Sequence, residues 1–199
     1  MRYAKVTPAA SVPKASRRYS KTLFPFYLIS IDNLLNRAET RIKESGSYVF
    51  ESFQDLSELG YLRRWETVHD NATIIFVSHE WCGWSHPDPN GVQLDTLLCT
   101  LRNLASGKIE GVNMCGFYSH FIGKNETTKA KDWVSILRNA YIWIDWLCMP
   151  QPEAEKTRTC PKKGEALVQL QKESNRAIDS IGAYVERSDI VLVLVPTCT

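Results

Sequence analysis

At 199 residues, 44% of them hydrophobic, the chain carries enough apolar surface for one sizeable core and is sized for one main domain with appendages. Its 24 basic and 22 acidic residues leave a formal charge of +2, which gives no electrostatic reason to expect a nucleic-acid or membrane partner. No apolar run approaches the roughly 18–20 residues that cross a bilayer, and six cysteines without a CxxC pair fit a reducing compartment, the cytoplasm, better than a stapled secreted fold.

In chain order, residues 1–31 hold six Lys and Arg side chains and no acid before the end, with several Ser, Ala and Pro. This composition predicts a disordered basic tail, with an organelle transit peptide as the alternative. Residues 32–71 read as a helical extension. Asp32 is the expected cap of a helix carrying Leu34, Leu35, Ala38 and Ile42 at helical spacing, and a second helical stretch around Leu56, Leu59 and Leu62 is expected on the surface.

The main fold is expected over 72–199. Ala72 to Ser78 is a continuous apolar, β-branched run of the kind buried on both faces of a sheet. A loop from Glu80 to Asn90 leads to a helix with Leu94, Leu97, Leu98, Leu101 and Leu104, for which Asn90 is the expected cap. Residues 106–131 read as an insertion, Asp132 to Arg138 as a short helix and Tyr141 to Leu147 as a second strand. A long amphipathic helix with Leu167, Leu170, Ala177, Ile178, Ile181 and Val185 on one face then precedes a third strand at Ile190 to Val195.

Strands that alternate with helices predict right-handed crossovers and a doubly wound parallel α/β sheet. Ligands of such sheets bind outside the carboxyl ends of the strands. That rule selects Ser78, His79, Glu80 and Trp81 after the first strand, Asp145 and Trp146 at the second, and the residues from Pro196 onward after the third. Trp81 and Trp84 can stack on a flat ring while Ser78, Glu80 and Asp145 hydrogen-bond to hydroxyls, which suits a nucleotide. Structural roles compete with each assignment: Trp143 reads as core, Asp145 as a loop cap, and His79 as a partner of nearby backbone. His79, Cys82, His86 and Cys148 are chemically suitable zinc ligands, which makes a zinc-dependent hydrolase a further alternative, although their spacing matches no common zinc module.

Phe76-Val77-Ser78-His79, Trp143-Ile144-Asp145 and Ile190 through Pro196 resemble the first three strands of Toll/interleukin-receptor (TIR) domains. Tyr141 through Gln151 is similar to the strand signature of fungal heterokaryon-incompatibility domains, and Phe76 through Leu94 to that of a group of TIR-like proteins from algae and protists. The resemblance spans roughly residues 72–196. It implies a flavodoxin-like sheet, self-association or pairing with other TIR-like domains in signalling, and in many members NAD as a substrate whose nicotinamide bond is cleaved. No cofactor is implied as a requirement. The catalytic glutamate of TIR enzymes lies on the helix after the third strand, a position with no counterpart in these 199 residues. The resemblance therefore leads us to expect a catalytically incomplete fragment with an uncovered sheet edge, in which Glu80 and Asp145 are the remaining carboxylate candidates. A non-enzymatic interaction module is the alternative.

Overall fold

The computed structural model describes residues 4–6, 18–113, 127–156, 158 and 162–195. In chain order its elements are β1 (Ala4–Val6), β2 (Tyr27–Ser30), α1 (Ile31–Ser45), α2 (Phe53–Glu58), β3 (Leu62–Arg64), β4 (Thr73–His79), α3 (Val92–Ala105), β5 (Gly111–Asn113), β6 (Thr127–Lys129), α4 (Ala130–Leu137), β7 (Ala140–Trp143), α5 (Asp145–Cys148), α6 (Pro152–Lys156), α7 (Glu165–Asp179), α8 (Ile181–Arg187) and β8 (Ile190–Leu194). They build a mixed α/β fold.

The main sheet has the order β1-β8-β4-β7-β2-β3. Its centre matches expectation: β4 runs parallel to β7 on one side, with Phe76 opposite Trp143, and parallel to β8 on the other, with His79 opposite Leu194. The chain steps from β4 to β7, then back across β4 to β8. The loops leaving β4 and β7 start from neighbouring strand ends.

The outer strands correct the sequence reading, because β2 pairs antiparallel with β7, β3 with β2 and β1 with β8. The sheet is mixed rather than wholly parallel. The expected bare edge beside the third strand is occupied by β1. Nor does the tail extend to residue 31, since Phe26, Leu28 and Ile29 are buried in the same core as β4 and β7. Residues 19–26 are strapped to α8 and the residue before it. Ser180 Oγ accepts from the Leu23 and Phe24 amides at 2.7 and 3.2 Å, and the Tyr184 hydroxyl donates to the Phe24 carbonyl at 3.0 Å.

Inside, Phe76 stacks on Trp143 at 4.3 Å, Trp143 tilts against Tyr184 at 5.7 Å, and Tyr184 stacks on Phe26 at 4.5 Å. This row of rings ties the central strands to α8 and the N-terminal segment through large apolar contact areas. Trp143 is core, as expected.

Several local expectations are also corrected. The helix start at α1 is capped by Ser30, whose Oγ accepts from the Asn33 amide at 3.2 Å, while Asp32 sits in the first turn. The surface stretch around Leu56 is instead α2, closed by a Ser52–Asp55 capping box and burying Leu56, followed by β3. The long helix breaks at the buried Ser180 into α7 and α8, and Ile178 and Val185 point to solvent.

At α3 the cap is neither Asn90 nor any side chain at the N-cap position. Gly91 takes φ +71, and the buried Asp88 carboxylate accepts from the Leu94 amide at 2.8 Å. The Asp88-Pro89-Asn90-Gly91 turn thus delivers a carboxylate to the positive end of the helix. Asp88→Ala is expected to cost about 1–2 kcal/mol, the usual loss of such a cap, measured by urea denaturation.

Candidate functional site

The second strand is shorter than its sequence pattern, and that shortening builds the site. β7 ends at Trp143, Ile144 stays extended, and Asp145 begins the single helical turn α5, stabilised by the Met149 amide donating to the Asp145 carbonyl at 3.0 Å. β4 continues past its last pairing with β7 to His79. The two ends meet.

His79 Nε2 lies 2.8 Å from Asp145 Oδ1, and because the ionised carboxylate can only accept, Nε2 carries the proton. Trp81 Nε1 donates to Oδ2 at 2.8 Å, and the Trp146 amide donates to Oδ1 at 2.6 Å. Burial pushes the Asp145 carboxyl up. The hydrogen bond and charge of His79, with the donors of Trp81 and Trp146, outweigh that and hold it below the usual carboxylate range. The His79 side chain is 2% exposed and Asp145 24% exposed, so the carboxylate keeps an open side while its orienting histidine is sealed in. His79 Nδ1 is buried and has no hydrogen-bond partner among the described residues.

An aromatic wall stands behind this pair. Trp81 meets Trp146 edge-on at 5.6 Å, and Trp146 meets His86 at 4.9 Å. Trp146 Nε1 and His86 Nε2 both approach the Phe50 carbonyl, at 3.2 and 3.1 Å, which joins α5 and the 80–91 loop to the segment before α2. Gln151 Nε2 donates to the Asp145 carbonyl at 2.9 Å, and its own backbone is bracketed by Gln54. The loop bearing Asp145 is fixed from three directions. A fixed, ionised acceptor beside a half-open indole can accept a hydroxyl or N–H donor and present a ring face to a planar group.

Of the residues selected from sequence, His79, Trp81, Asp145 and Trp146 come together. Ser78 and Glu80 border them and are exposed; the Glu80 carbonyl accepts from Gln93 Nε2 at 2.8 Å. Trp84 is fully exposed and makes no ring contact among the described residues. The expected contribution from Pro196 onward lies outside the described residues.

The four zinc-ligand candidates do not converge. His86 accepts from the Asp88 amide at Nδ1 while Nε2 faces Phe50, His79 is committed to Asp145, and burial pushes the Cys148 thiol up to about 12. Among the described residues no three His, Cys, Asp or Glu side chains gather as a metal site. Among them, too, no helix is long and apolar enough to cross a membrane.

Phe50, Gln54 and Gln151 were missed by sequence reasoning. They act through backbone carbonyls and amide side chains, and no spacing rule marks such groups. In comparison with known proteins the chain matches no family model, no curated protein and no solved structure.

Proposed function

We propose that the chain is a TIR-like nucleotide-binding domain, with NAD as its ligand, and that the crevice is centred on Asp145. The observation that carries this reading is an ionised, partly open carboxylate at the carboxyl ends of two parallel strands, braced by a buried histidine and an exposed indole. The second-first-third order of β7, β4 and β8 is the order with which a flavodoxin-like sheet begins, and it supports the TIR-like part of the reading.

In this reading the Asp145 carboxylate accepts from a ribose hydroxyl and Trp81 offers a face for a ring. When nicotinamide departs from NAD the ribose becomes oxocarbenium-like, and a neighbouring carboxylate stabilises that charge. Asp145 already accepts from three donors, so its capacity is directed to holding the sugar. Binding with slow turnover is therefore expected of this chain.

Calorimetric titration with NAD tests the reading. Saturable binding is expected, weakened about tenfold in Trp81→Ala by loss of one stacking surface. Absence of NAD binding together with concentration-dependent light scattering would instead favour a self-association module, for which the fully exposed Trp84 is the motivating feature.

A further inference from the structure

Between the end of α1 and the first turns of α3 lies a cavity of about 710 Å³, a size typical of small-molecule sites. It shares no lining residue with the His79–Asp145 cluster. Ser47, Tyr48 and Asn90 line it with neutral groups that can donate as well as accept. The Thr96 hydroxyl donates to the Val92 carbonyl and the Thr100 hydroxyl to the Thr96 carbonyl, each at 2.8 Å, so both are left with lone pairs to offer. Asp95 adds a carboxylate, and among the described residues no Lys, Arg or His lines the cavity. Ile42 and Val92 supply exposed aliphatic wall.

We propose that this cavity binds an organic ammonium compound, its nitrogen donating to Asp95 and the threonine hydroxyls and its carbon body lying on Ile42 and Val92. An anion would meet the Asp95 carboxylate and, among the described lining residues, no cation. The amino end of α3 gives it little help, because the buried Asp88 carboxylate already takes the Leu94 amide. This site is independent of the Asp145 crevice.

Cys99 lines the same cavity, is exposed, and provides the readout. In the full chain, alkylation of Cys99 by iodoacetamide, followed by mass spectrometry, is expected to slow about fivefold with hexylammonium, as an accessible ion pair allows. The exposed Cys82 should react at an unchanged rate. Hexanol and hexanoate, which share the carbon body, should protect less than about twofold at the same concentration, because neither can form that ion pair. Asp95→Asn, folded by circular dichroism, should lose the protection by hexylammonium. Equal protection by all three compounds, no protection by hexylammonium, or protection that survives in the variant would overturn the proposal.

Discussion

Phe26→Ala is expected to lower stability by about 3–5 kcal/mol, the range for emptying a buried aromatic site. Phe26 is 0% exposed, stacks on Tyr184 with planes 6° apart, and its carbonyl accepts from the Trp65 amide at 2.8 Å. The substitution leaves a cavity between the N-terminal segment and α8, and also removes one end of the ring series that reaches Trp143 and Phe76. Urea denaturation of the full chain measures the loss. A change under about 1 kcal/mol, the scale of surface substitutions, would mean that residues 19–30 are an accessory rather than part of the core.

Asp145→Asn is expected to cost about 2–3 kcal/mol near neutral pH, the scale of a charge-assisted hydrogen bond lost in a partly buried setting. An asparagine amide offers one accepting oxygen where the carboxylate offers two, so its NH₂ group must face either His79 or Trp81. The pH dependence has a definite sign. The folded-state carboxyl is held below its ordinary value, so the stability it contributes is fully present above that ordinary value, about 3.9, and is lost as the pH falls through the folded value. The difference in stability between the native chain and the variant should therefore shrink as the pH falls below about 4. A difference that grows as the pH falls below about 4 would contradict the assignment of Asp145 as an ionised acceptor.

The central strands were legible because β4 is an apolar, β-branched run buried on both faces and β8 an unbroken apolar run whose alternate residues are buried. Their parallel pairing followed from the intervening helices. β2 was not legible: Tyr27 to Ser30 is four residues long and adjoins a basic, proline-bearing segment, so composition outweighed it. β3 reads Leu-Arg-Arg and carries almost no apolar signal; antiparallel pairing with β2 makes it a strand. The break at Ser180 was hidden because the apolar spacing continues through it, whereas the hydroxyl is drawn inward by the Leu23 and Phe24 amides.

The site was legible in its chemistry and not in its geometry. The rule that strand ends carry ligands selected His79, Trp81 and Asp145, and they meet. That Asp145 starts a helical turn, that His79 is sealed behind it, and that Trp84 stands free are tertiary outcomes. They depend on β7 stopping at Trp143 and on Phe50, Gln54 and Gln151 clamping the turn.

The most direct test of the Asp145 crevice is chemical-shift mapping of the full chain during addition of NAD. Shifts concentrated at the Trp81 indole N–H, the Asp145 amide and the Ser78 amide are predicted. Shifts confined to the cavity between α1 and α3, or no saturable shift anywhere, would contradict it.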